Sequence, residues 1–245
     1  MPTLARLLLV CASLLLGPLM AMADELPKDT NEIESLTVEQ ARKLAETFPG
    51  VVIQVTVAKE TLEWSNCLPL NGLKKLDSDV AQALAGYSKG PLVLNGLTSL
   101  SDEAAKALAQ HKGSLYLNGL TTLSDEAATA LAQYEGRLEL NGLTTLSAEA
   151  ATALAASMSW DGNLPSLAAL DSPDSVAIAK ALATRKGPLS LPNLKKISPK
   201  TLSALLEKED IDIPLIETLE LIPEPDGSVT EDFVIPEGFQ QRQQR

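Results

Sequence analysis

The chain holds one histidine, His111, and two cysteines, Cys11 and Cys67, so imidazole and thiolate chemistry have few possible carriers. A hydrolase triad needs a base beside its nucleophile, and His111 has no sequence context for one. No second His or Cys stands at metal-site spacing from it, and no Gly-rich phosphate loop is present. His111 instead joins Tyr87 and Tyr134: each follows a leucine (Leu84, Leu108, Leu131) by three residues, which suits stacking or capping at helix ends. Cys67 reads as a small core residue. Acids recur as Asp79, Glu103, Glu126 and Glu149, with Asp102 and Asp125 beside them. They could attract a cation or supply a carboxylate pair, but calcium needs about six to eight converging oxygens, which no loop here supplies. Each acid falls where a helix begins, and there a negative charge offsets the helix dipole by roughly 0.3–1 kcal/mol. The chain therefore reads as non-enzymatic, with no cofactor and no metal site. Recognition chemistry remains: Ser114, Tyr116, Arg137 and Glu139 combine an aromatic ring, opposite charges and a hydroxyl in adjacent repeats, the mixture expected of a partner-binding patch.

The elements that carry these residues repeat. Leu-Asn-Gly-Leu occurs at 70–73, 94–97, 117–120 and 140–143, its glycines 24, 23 and 23 residues apart. A period in this range implies small supersecondary units that bury their apolar faces against each other. Within the unit from Gly113 to Gly136, Leu115 and Leu117 lie two apart, predicting a short strand with both inward and Tyr116 outward. Leu123, Ala127 and Leu131 lie four apart, on one face of a short helix. Ser101, Ser124, Ser147 and Ser198 stand where N-caps belong, the last followed by Pro199 at the first helical position. Asn-Gly after each strand suggests a turn with positive φ, and Gly90, Gly113, Gly136 and Gly187 suggest the turn back from each helix. Asn71, Asn95, Asn118 and Asn141 form a column whose amides either bond to neighbouring turns or tolerate a left-handed conformation.

Degenerate copies extend the array to about six or seven units over residues 33–221. Thr37 and Gln40 have capping-box spacing ahead of a helix. Leu164, Leu167 and Leu170 follow Leu140, Leu143 and Leu146 by 24 residues. Residues 33–67 read as an N-terminal cap region, with a strand at 51–57 and either a short helix or a hairpin turn at 58–65. Trp64 and Trp160 sit beside irregular units, where a large side chain can fill a packing gap.

Met1 to Ala23 has a short basic start, an apolar run and Ala21-Met22-Ala23, which predicts a secretory signal peptide cleaved near Ala23/Asp24. The run is short against the roughly 20 residues needed to span a bilayer, so no membrane span is expected in the mature chain. Val10 before Cys11 argues against lipidation. Loss of Arg6 with the leader leaves 19 basic against 32 acidic residues, a net charge of −13, which disfavours nucleic acid and anionic membrane surfaces. It also leaves Cys67 alone, with no partner for an intramolecular disulfide. Residues 24–32 read as a linker and 222–245 as an extended or disordered tail.

LxLxGLxxLS followed by an apolar helix, every 23 or 24 residues, resembles the leucine-rich repeat family, above all the irregular repeats of secreted bacterial proteins. It places Asn directly after LxL, where the common consensus has it three residues on. The resemblance implies an α/β solenoid with short parallel strands on the concave side and short Ala-rich helices on the convex side, and recognition rather than catalysis. The expected function is that of an exported, secreted or periplasmic interaction module, binding a protein or envelope component through the concave strand face around Ser114, Tyr116, Arg137 and Glu139. The alternatives are a structural spacer of the envelope without a discrete site and, further off, an enzyme with a carboxylate site.

Overall fold

The computed structural model describes residues 26–57 and 60–224. The signal peptide expected at 1–23 and the tail from residue 225 onward lie outside them. Thr37 opens the first helix, α1 (Val38–Thr47), with a capping box: its hydroxyl accepts from Gln40 N, and the Gln40 side chain accepts from Thr37 N. Ala41, Leu44 and Ala45 are its buried face. The alternating Val51–Val57 segment forms β1, antiparallel to β2 (Glu60–Pro69). Residues 60–65, expected as part of a short helix or a hairpin turn, belong to strand β2, and 58 and 59 lie outside the described residues. At the foot of the hairpin, Gly50 (φ 86°) and Asn66 (φ 61°) lie in the left-handed region. Any side chain at Gly50 would also collide with Asn66, since a Cβ there would sit 2.2 Å from Asn66 Cα.

Strand β2 runs directly into the first leucine pair, and four units follow: α2 (Ser78–Ala85), β3 (Leu92–Val93), α3 (Asp102–Leu108), β4 (Leu115–Tyr116), α4 (Asp125–Ala132), β5 (Leu138–Glu139) and α5 (Ala148–Ala156). The fold is thus α/β, with short parallel strands. Leu68 pairs with Leu92, Leu92 with Leu115 and Leu115 with Leu138. These leucines, together with Leu70, Leu94, Leu117 and Leu140, are fully buried. Each fully buried leucine contributes roughly 1.5–3 kcal/mol relative to an exposed one. On the opposite side each helix packs on the next, α1 on α2 through to α5. The caps are as expected: Ser101, Ser124 and Ser147 accept from Ala104 N, Ala127 N and Ala150 N.

Two ladders of polar contact join the units. Asn71 Oδ1 accepts from Asn95 N at 3.0 Å, Asn95 Oδ1 from Asn118 N at 2.9 Å and Asn118 Oδ1 from Asn141 N at 2.9 Å, with Asn31 Oδ1 serving Asn71 at the start. Of the two roles open to these asparagines, bonding to the neighbouring turn is the one seen. Ser124 Oγ also donates to Asp102 of the preceding unit, and Ser147 Oγ to Asp125. The glycines differ from expectation. Gly72, Gly96, Gly119 and Gly142 do not have positive φ, a conformation confined among the described glycines to Gly50 and Gly162. Their requirement is proximity: a Cβ at Gly119 would lie 2.1 Å from Asn95 O, and one at Gly96 1.9 Å from Asn71 O. Gly90, Gly113 and Gly136 are likewise pressed on the preceding unit rather than turned to positive φ.

The array has one discontinuity. Strand β5 is followed only by an isolated bridge from Leu138 to Trp160, and the next contact, Asn163 to Ser190, starts a new sheet. Gly162 (φ 80°) turns the chain between them. The residue that the 24-residue spacing sets beside Asn141 is Pro165, which has no N–H. Asn141 Oδ1 is accordingly buried with no hydrogen-bond partner. Beyond this point two small parallel sheets run side by side: β7 (Leu189–Ser190) with β9 (Ile211–Asp212), and β6 (Ala169–Leu170), β8 (Lys196–Ile197) and β10 (Glu220–Leu221). Helices α6 (Ser175–Ala183) and α7 (Pro199–Leu206) continue the helix layer.

The Gly119→Ala variant should lose about 1–3 kcal/mol through overpacking against Asn95 O. A urea-denaturation midpoint equal to that of the wild type would show that the neighbouring turn has room to move.

Candidate functional site

The parallel register lines up Pro69, Val93, Tyr116 and Glu139 on the sheet face away from the leucines. Ser114 and Arg137 stand two residues before Tyr116 and Glu139. The structure thus brings the four sequence-predicted residues together, but most of them are not exposed. Tyr116 is only 3 % accessible and forms a small separate cluster with Val93 and Cys67. Adjacent strands about 4.8 Å apart leave a tyrosine ring long enough to lie across the neighbouring side chain in the column. Burial pushes its phenol up, reinforced by the charge of Glu139 and opposed by a hydrogen bond from Ser114 and by Arg137. Burial also raises the Cys67 thiol, so the reactive thiolate is disfavoured.

Glu139 is also buried, at 7 % accessible, and is held from two sides. Arg137 Nε donates to Oε1 at 3.1 Å, with Nη2 2.8 Å from the same oxygen, while Asn118 Nδ2 donates to Oε2 at 3.2 Å. A carboxylate buried this far is tolerated because charged and neutral donors together replace water. Arg137 leaves 58 % of its side chain exposed. Two of its five N–H groups are directed at Glu139, which leaves donors in the fixed guanidinium fork for a carboxylate or carbonyl. The expected open patch is therefore narrower than the sequence suggests: Arg137 is its exposed member, Ser114 its half-buried flank, and Tyr116 and Glu139 support them from below. Asn118 belongs to this network too. Its place in the asparagine column pointed to structure, and nothing in its spacing signalled the bond to Glu139.

The helix-end column is built differently. Tyr87 Oη donates to Asn66 O at 2.5 Å and Tyr134 Oη to Gly113 O at 2.6 Å, each reaching the preceding unit. The same position is Arg185 after α6 and Lys208 after α7. Arg185 donates to Ser157 O, Trp160 O and Pro188 O, its guanidinium 4.9 Å from the Trp160 ring centre, and Lys208 Nζ donates to Arg185 O. Sequence reading found the three aromatic members and missed the two basic ones, although each follows a helical leucine (Leu182, Leu205) by three residues. His111 is buried between the tyrosine positions. Backbone groups of Ala85, Tyr87, Gly90 and Ser114 surround it, yet neither ring nitrogen reaches hydrogen-bonding geometry.

The acidic column serves the helix starts, with Asp102 and Asp125 each bonded to the next unit's cap serine. A groove of about 460 Å³ between α3 and α4 is lined by Lys106, Asp125, Glu126, Gln133 and Glu149. Among the described residues no group of three His, Cys, Asp or Glu side chains is placed to hold a metal ion, and no helix is long and apolar enough to cross a membrane.

Burial lowers the pKa of His111 below its ordinary 6.5. The unfolded chain therefore takes up the proton first, so stability is full above about pH 6.5 and declines as the pH falls toward the folded-state value. His111→Tyr would place a hydroxyl where its neighbours reach a carbonyl. Between pH 7 and pH 5 the melting temperature of the wild type should fall by about 2–4 °C more than that of the variant. Equal slopes would mean that His111 is hydrated. No protein-family model matches the chain, and no curated protein matches it.

Proposed function

We propose that the chain is a leucine-rich-repeat-like solenoid, exported and non-enzymatic, that binds a protein or envelope component through its strand face at Arg137. Strands form the concave side in this reading and the short Ala-rich helices the convex side. The export step rests on the leader at residues 1–23.

The observation that carries the reading is the Arg137–Glu139–Asn118 network. A guanidinium fixed by a buried carboxylate is pre-organised, so little side-chain entropy is lost when its remaining donors meet an acceptor. The polar groups of the asparagine and serine columns bond one unit to the next, which leaves specificity to positions where the repeats differ. Val93, Tyr116 and Glu139 occupy one column with three unlike side chains. The partner group that fits is a carboxylate or an exposed peptide carbonyl.

Arg137→Lys keeps the charge opposite Glu139 and removes the planar fork. Affinity capture from an envelope extract, with protein from Asp24 onward, should give saturable binding for the wild type and at least ten-fold weaker binding for the variant. Their melting temperatures should agree to about 2 °C, as expected of an exposed substitution. Equal capture by both proteins, or none that saturates, would refute the reading.

A further inference from the structure

The β1–β2 hairpin stands apart from the stacked units. Strand β2 joins the parallel sheet only through Leu68 and Pro69, which pair with Leu92 and Val93. Its earlier residues pair with β1, from Ile53 opposite Trp64 to Val57 opposite Glu60. Strand β1 is the outer member of the five-stranded sheet, with no further strand beside it among the described residues, and β2 is the only described element that packs extensively against it. In a strand paired on one side, every second N–H and C=O points away from the partner. A hairpin of two strands is marginally stable by itself and needs a third strand or a packed face. Its two edges differ in charge. The part of β2 that β3 does not reach carries Glu60 and Glu63, whereas β1 reads Val-Val-Ile-Gln-Val-Thr-Val, without a charge, a proline or a glycine. Those are the residues that keep an edge strand from pairing with another chain, and β1 has none of them. Val51, at its start, is 39 % exposed.

We infer that β1 is a dimer edge, to which β1 of a second copy adds antiparallel about a two-fold axis. Such pairing sets each residue opposite its mirror position in an identical strand, so the strand's pattern must match its own reverse. The regular register of the hairpin runs from Ile53 to Val57, past the irregularity between Val51 and Ile53. An axis at Val55 sets Ile53 opposite Val57 and Gln54 opposite Thr56, apolar against apolar and uncharged polar against uncharged polar. Two hairpins then make one four-stranded sheet, past the three strands that independent stability requires. Charge selects the occupant. Two chains of net charge −12 repel each other over most of their surfaces, so copies meet where neither presents a charge. A basic segment, which the rest of the surface would attract, finds no acid in this strand. The edge lies at the opposite end of the five-stranded sheet from β5 and Arg137, so one molecule can hold both contacts.

Sedimentation equilibrium of the full-length chain should show the apparent mass doubling as concentration rises. Amide exchange at alternate residues between Ile53 and Val57 should slow at least ten-fold over the same range. Gln54→Lys combined with Thr56→Lys sets like charges opposite each other at two places and should weaken the dimer ten-fold or more, as should Gln54→Glu combined with Thr56→Glu. An equimolar mixture of the two double variants faces Lys with Glu at both places and should dimerise again, which a merely damaged strand would not do. Should either double variant not fold, the concentration dependence of exchange in the wild type decides alone. A chain that stays monomeric up to its highest soluble concentration would overturn the inference. So would a dimer indifferent to these charges, or a mixture of folded variants that remains monomeric. Alternate amides that are slow at every concentration would overturn it too, since the chain would then cover its own edge.

Discussion

One contact recurs from unit to unit and sets the terms for the others: an asparagine side-chain oxygen accepting the backbone N–H of the asparagine in the next unit. It satisfies a partly buried donor that would cost about 1–3 kcal/mol if left unmet. It also demands that consecutive turns approach until only glycine fits beside each asparagine. Once that distance is fixed, the strands pair leucine to leucine and the helices fall side by side. The 23- and 24-residue units meet this geometry directly, and the longer first unit meets it too, since Asn31 still reaches Asn71 across 40 residues.

The leucine periods, the cap serines and the helix-end aromatics were legible in the sequence because each expresses a local rule: strand alternation, the first helical turn, a fixed step from a helical leucine. The glycines were visible, but their reason was not. A left-handed turn and a backbone pressed against its neighbour both select glycine, and only the stacked chain tells them apart. The four strand-face residues do lie together in the structure, but sequence reading assigned them too much exposure. Burial on the outer face of a sheet depends on side chains one strand away, which is why Tyr116 lies over Val93 and Glu139 closes onto Arg137 and Asn118. The break after Asn141 was foreshadowed by Pro165, whose missing N–H matters only once the asparagine ladder is known.

Buried polar side chains divide the labour along the helix-end column. Tyrosine serves the regular units with one bond each, and the uncharged imidazole of His111 fills the place of a third ring. Arginine and lysine take over where the units become irregular, since longer side chains with several donors reach carbonyls that are no longer at a fixed offset. Irregular spacing thus selects longer donors at the same position.

Arg185 has a consequence for how the chain comes apart. An array whose units touch only their neighbours has a stability built from unit terms and interface terms, and it loses cooperativity at its weakest interface. Between Asn141 and Ser190 the strand ladder is reduced to isolated bridges, and the asparagine ladder has ended. A single guanidinium, bonded to carbonyls on both sides, sutures the gap. The strand face is therefore broken here, while the helix layer and the apolar core run on across the seam. Tension on the chain would thus open the strand face first at this seam, with the helix layer still holding the two sides together.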